Sequence, residues 1–194
     1  AGINDIGNFL AGQQALDSGQ AIVGQTGMYQ AGFFPVMMFG LPAGALAIYQ
    51  CARPEKKKQT ASLMLAAAFA SFFTGVTEPL EFSFMFVAWP LYVLHAVFTG
   101  ISLAVSAFFH WTAGFAFSAG FVDYFLSLKN PVANQPLMLL VQGAVFAVIY
   151  YFGFRFAIQK FTLMTPGREE TAGEETPDIA TGDDKFAVLA TQIY

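Results

Sequence analysis

Charge is what this sequence has least of: 11% of its 194 residues are charged, against about 25% in an ordinary soluble domain. With 56% hydrophobic residues and a mean hydropathy of +0.53, lipid is its expected solvent. Cysteine is nearly absent. Cys51 alone cannot close an internal disulfide, and no run has the spacing of a zinc site, so no metal and no cofactor are expected. The G-x-x-x-x-G-K-[ST] run that cradles nucleotide phosphates is missing, which removes nucleotide-driven pumping from the possible functions. A basic excess is missing too. The formal net charge is −4, and more than half of the 13 acids fall between Arg168 and Asp184, so the balance describes a tail and argues against nucleic acid as a partner. The opening residues lack the basic and apolar regions of a signal peptide, and the chain is expected to be a piece of a longer protein.

What is present is a succession of long apolar runs, which predicts an all-α, polytopic membrane protein with transmembrane helices. Ala1 to Met28 is polar and Gly-rich, expected as a loop or a short, partly buried segment. Tyr29 to Tyr49 is long enough to cross a bilayer, although Pro35 and Pro42 should interrupt a regular helix. The basic cluster Arg53 to Lys58 follows and is expected on the cytoplasmic side. Phe82 to Val122 carries no Asp, Glu, Lys or Arg and is expected to form at least two spans, divided at Pro90, Gly100 and Gly114. Leu137 to Phe154 is the last span, closed by Arg155 and Lys160, a second cytoplasmic marker. Beyond Thr165 the sequence PGREETAGEETPDIATGDD holds too few large apolar residues to order itself. The expected division is a membrane part over 1–165, a flexible acidic linker over 166–184, and over 185–194 the start of a further domain.

Two carboxylates break the apolar pattern, in TGVTEPLEFSF, Thr74 to Phe84. A charged side chain at a helix centre costs roughly 2.5–3.5 kcal/mol on insertion, so an intramembrane acid faces a cavity or a partner. Pro79 suits a first helical turn. A helix starting there with Glu78 as N-cap puts Glu81 three residues on, where its side chain reaches back to the cap as a structural residue. Glu78, after the permissive Gly75, is then left to accept hydrogen bonds from a ligand rich in hydroxyls. The alternative is that both acids merely cap a buried helix end. His95 reads as a histidine hydrogen-bonded inside the bundle, His110 beside a span end as either such a histidine or a functional one, and Asp123 as a cavity acid or a membrane-interface residue. Trp111 is a weaker candidate for stacking on a sugar.

TGVTEPLEFSFMFVA (Thr74 to Ala88) resembles the signature of the glucose and N-acetylglucosamine family of phosphotransferase-system permeases, the membrane IIC unit of enzyme II. GFFPVMMFGLPAGALAIY, LYVLHAVFTGISL, FSAGFVDYFL and LMTPGREE follow in the same order as in that family, so the resemblance covers nearly the whole chain. It implies a permease of the bacterial cytoplasmic membrane that binds a hexose or N-acetylhexosamine and presents its 6-hydroxyl to a phosphocysteine. That phosphocysteine belongs to a cytoplasmic IIB domain, charged through IIA and HPr. It also implies a re-entrant hairpin, a homodimer, a truncated IIB start at 185–194, and a linker and C-terminus in the cytoplasm. Carried onto this sequence, Glu78 is the catalytic and sugar-binding carboxylate, with Gly75, Thr77 and Pro79 shaping its loop and His110 and Asp123 as further substrate-binding candidates. The segments FSAGFVDY and GFFPVMMFGLP are closer to the N-acetylglucosamine branch. Two departures are the extended stretch Gly12 to Gly27 and Trp89 ahead of Pro90. A facilitator or sensor that binds sugar without modifying it is the competing function.

Overall fold

The computed structural model describes residues 5–169. Among these the chain is helical, with no strand and one isolated antiparallel bridge, Thr112 with Asn134. Three helices are long and apolar enough to cross a membrane. Two short helices, α1 (Asp5–Leu10) and α2 (Gln13–Asp17), lead into α3 (Met28–Cys51), the first of the three. Pro35 and Pro42 do not break α3. A π-helical turn over Val36–Gly40 sits between them, the widening by which a helix absorbs a proline's missing N–H and crowded ring.

After the basic connection come α4 (Lys57–Thr74), α5 (Glu78–Met85) and the second candidate span, α6 (Trp89–Phe108). Trp89 is exposed and opens α6 with Pro90 in the first turn, so the extra tryptophan leaves an ordinary helix start. Phe82 to Val122 therefore supplies one span, not two. Gly100 lies inside α6 with open space around it, and after Phe108 the chain turns irregular before the short α7 (Phe121–Ser127). The last helix, α8 (Leu137–Lys160), is the third candidate span.

Small residues set the packing. A Cβ on Gly40 would come within 2.8 Å of the Tyr150 ring, and one on Gly44 within 3.1 Å of Phe154, so α3 and α8 run parallel at close range. Further along, the Tyr151 hydroxyl and an Arg155 N–H both donate to the Gln50 side-chain oxygen. α6 runs antiparallel to α8. The Gln142 amide donates to the Ser102 carbonyl and hydroxyl oxygens, both at 2.9 Å, and the Ser102 hydroxyl donates to Gly32 O at 2.7 Å. These buried polar groups bond to one another between apolar faces, with the Gln142 Oε1 left without a partner.

α4 and α5 form a hairpin that enters and leaves at the same end of the bundle. α4 begins at the basic cluster and reaches the middle of α3, where Ser71 donates to Met37 O at 2.6 Å. α5 then returns until Phe84 stacks edge-on against Phe154, 5.5 Å between ring centres and one residue from Arg155. At that same end residues 163–169 dock on the α3–α4 connection. Arg53 N donates to Gly167 O at 2.9 Å, Arg168 Nη1 to Cys51 O at 3.3 Å, and Lys56 Nζ pairs with Glu169 at 3.1 Å. Residues 166–169, read from sequence as the start of a flexible linker, are thus packed and hydrogen-bonded. The rest of the linker and the stretch 185–194 lie outside the described residues.

Candidate functional site

α4 stops at Gly75, whose left-handed backbone (φ 71°) ends the helix as its N–H bonds back to Ser71 O at 3.0 Å. α5 begins three residues later, at Glu78. Its N-cap is Thr77, whose carbonyl accepts both Leu80 N at 3.0 Å and Glu81 N at 2.9 Å. This corrects the register expected from sequence. Glu78 is the first helical residue and not the cap, Pro79 the second, where its missing N–H is still no loss. Glu81 lies one position too far along to close a capping box, and no side-chain cap bond forms. Instead the Glu81 carboxylate turns to α6, with Oε1 3.4 Å from His95 Nε2.

Glu78 is exposed, and among the described residues no hydrogen bond or ion pair engages its carboxylate. Thr77 beneath it is buried, and Leu80 and Phe84 are fully buried. The tip therefore holds a free, exposed carboxylate on a buried base, in the first turn of a helix. An ionised carboxylate of this kind accepts hydrogen bonds from hydroxyl groups.

The tip is held from the other side by residues 109–120, which return from the far end of α6. Ser118 donates to Gly75 O at 2.8 Å. A Cβ on Gly120 would lie 2.4 Å from Gly75 N and 2.5 Å from Thr74 C, so the two backbones cross with no room for a side chain. Asp123 shapes this second segment, its carboxylate accepting Ala116 N at 2.9 Å and Ser118 N at 3.5 Å. Tyr124, packed under it, donates to Pro136 O at 2.8 Å, and burial pushes that hydroxyl up to about 12, so it stays a donor at neutral pH.

The sequence candidates thus divide. Gly75, Thr77, Glu78 and Pro79 share the tip, and Asp123 acts on the loop that touches it. His110 lies elsewhere. It follows the C-terminal end of α6, about 20 Å along the helix from His95 at 1.5 Å per residue, with a strained φ of 56° and Nδ1 3.0 Å from Gly24 O. Trp111 stacks on Phe109, 4.7 Å between ring centres. Ser118 and Gly120 were not singled out from sequence. Their signal is the small-residue run SAG directly before a helix. A polar concavity of about 480 Å³, lined by Asp5, Asn8, Gln20, Gln25 and Tyr29, is formed by the N-terminal segment and not by the tip.

Comparison with known proteins finds relatives among the EIIC components of phosphotransferase systems. The N-acetylglucosamine-specific EIIC component of Streptomyces coelicolor is 53% identical over 175 residues, 90% of this chain and 39% of that protein. The N-acetylglucosamine-specific EIICBA component of Escherichia coli is 48% identical over 180 residues, 92% of this chain and 26% of that protein. The glucoside-specific EIICBA component of Staphylococcus carnosus is 44% identical over 191 residues, 96% of this chain and 28% of that protein. The chain spans about two fifths or less of the length of these relatives. The model of the family "Phosphotransferase system, EIIC" matches residues 2–100, about half of the chain and including the whole of the hairpin tip, and the chain belongs to that family.

Proposed function

We propose that this chain is the sugar-binding, C-terminal part of a IIC permease that couples uptake of a sugar, N-acetylglucosamine in preference to glucose or a related hexose, to its phosphorylation. The observation that carries the reading is Glu78: an unpaired carboxylate held at the tip of a membrane hairpin costs free energy unless a polar ligand or a wet cavity faces it. Glu78 accepts hydrogen bonds from the sugar near its 6-hydroxyl, and the 6-hydroxyl attacks the phosphorus of a IIB phosphocysteine. The S–P bond breaks to return the IIB cysteine as its thiolate, the hydroxyl proton passes to solvent, and sugar 6-phosphate leaves on the cytoplasmic side. Positioning and charge stabilisation dominate such a transfer, and a carboxylate that orients the hydroxyl serves the first. The wall opposite Glu78 comes from parts of the full-length permease outside this segment. IIB, charged through IIA and HPr, is the macromolecular partner, and the permease is a homodimer in the bacterial cytoplasmic membrane. Two relatives bear names that join EIIC to B and A components, which supports a IIB donor over a facilitator.

The discriminating experiment is phosphorylation by a full-length permease carrying this segment, supplied with phosphorylated IIB. Sugar 6-phosphate should form only while the IIB cysteine is intact. Saturable entry of unmodified sugar without it would favour the facilitator instead.

The basic cluster 53–58 and the end of α8 share one end of the bundle, joined by the Gln50–Arg155 and Lys56–Glu169 contacts, and the positive-inside tendency assigns that end to the cytoplasm. In a Cys51→Ala background, single cysteines at Lys57 and Arg168 should both react with impermeant thiol reagents only from the cytoplasmic face. Reaction of the two from opposite faces would rule out this topology.

A further inference from the structure

Glu78 and Glu81 are three residues apart on α5 and so lie on neighbouring faces of one short helix, yet their environments differ. Glu78 is exposed and unengaged, whereas the Glu81 side chain is 18% exposed and His95, 3.4 Å away, 10%. The contact continues inward. His95 Nδ1 lies 2.9 Å from the Tyr150 hydroxyl, which is also 3.4 Å from Thr99 Oγ1, and Thr99 donates to His95 O at 2.9 Å. With Nε2–H turned to the carboxylate, Nδ1 is the side of the ring that faces the Tyr150 hydroxyl, which also donates to His95 O at 3.3 Å. Tyr150 is fully buried and its ring lies against Gly40 of α3, where a Cβ would come within 2.8 Å, so the inner end of the row cannot swing.

We propose that Glu81, His95 and Tyr150 form a positioning relay that fixes the rotation of α5 against α6 and α8, and thereby aims Glu78, without touching the sugar. The inference rests on the reading of Glu78 as the sugar-binding carboxylate. Its physical basis is geometric. α5 is only eight residues long, and Leu80 and Phe84 bury it without directional bonds. The Glu81–His95 contact is the directional one between α5 and a neighbouring helix. It also engages the second carboxylate of a like-charged pair, leaving Glu78 as the one that faces outward. A rotation moving Glu78 by about 1 Å is enough to cost on the order of 100-fold in rate when geometry is what the site supplies.

The test compares Glu81→Ala, Glu81→Gln and Tyr150→Phe in a full-length permease carrying this segment, by sugar phosphorylation and by hydrogen exchange over residues 75–82 without sugar. Glu81→Ala should lower kcat/KM for the sugar about tenfold or more and speed exchange over the tip. Glu81→Gln, whose amide oxygen still accepts from Nε2–H, should stay within about threefold of the unaltered protein in both readouts. A purely structural role would not give this rescue together with a defect confined to the tip. Glu81→Gln no better than Glu81→Ala, or Glu81→Ala at full kcat/KM, would overturn the relay. If Glu81→Ala does not insert, Tyr150→Phe decides, since it removes one hydroxyl: unchanged exchange and unchanged kcat/KM count against the relay, faster exchange with lower kcat/KM for it. Glu78→Gln at full activity removes the sugar reading itself, whereas an inactive Glu78→Gln beside a fully active Glu81→Ala removes the relay alone.

Discussion

Glu78→Gln in a full-length permease carrying this segment is expected to lower sugar phosphorylation by about 10- to 100-fold while the protein still inserts. The magnitude follows from the bond at stake: a hydrogen bond to a charged acceptor contributes about 1.5–3 kcal/mol, and every 1.4 kcal/mol is about tenfold. Insertion should survive because the Glu78 carboxylate has no partner among the described residues, and because Leu80 and Phe84, not Glu78, bury α5. Glutamine keeps the length and shape and removes only the charge, so the loss reads electrostatics and not packing. Sugar 6-phosphate formed per membrane-inserted permease is the measurement. Unaltered phosphorylation would take Glu78 out of the mechanism.

The second large effect is structural. Gly120→Ala should destabilise the permease by about 3 kcal/mol or more, the upper end of what overpacking costs, and lose activity with it. The added methyl has nowhere to go, since the atoms it meets at 2.4–2.7 Å are backbone of residues 73 to 75 and cannot rotate away. Gly120 has an ordinary φ of −99°, so the penalty is steric and not conformational. Its consequence is local. Forcing the crossing apart separates Ser118 from Gly75 O and releases the loop end of the tip. Gly100→Ala is the control, with nothing within 4 Å of its would-be methyl and a helix interior that favours alanine by roughly 0.5–1 kcal/mol. Thermal unfolding in detergent should show a lowered midpoint for the first and none for the second. Equal midpoints would mean that the two segments do not cross closely in the membrane.

Composition made the solvent and the span-forming runs legible, because a helix in lipid must be apolar on nearly every face. The hairpin tip was legible for the opposite reason: acids, Gly75 and Pro79 stand out against that background. Finer features were not. The cap fell on Thr77 instead of Glu78 because the first hydrogen bonds are set by where the carbonyl of residue 77 points, and residue types alone do not give that. His110 was open between a bundle histidine and a functional one, because residue types do not show that its backbone turns left-handed and carries the ring to Gly24. Asp123 has its carboxylate on two loop amides, a local closure that looks in sequence like any acid near a membrane edge. Gly120 and Ser118 gain their importance from a contact made 43 residues away in the chain, and the Glu81–His95–Tyr150 row joins three helices. Long-range pairings of this kind leave no periodic trace.

Equilibrium binding of N-acetylglucosamine, measured without any phosphoryl donor, separates binding from transfer. The unaltered full-length permease should bind saturably, and Glu78→Gln should weaken that binding by about tenfold or more with the helical content and the exchange of α8 unchanged. Equal affinity in the two proteins would contradict the central claim, because a carboxylate that faces the sugar cannot lose its charge without the sugar registering the loss.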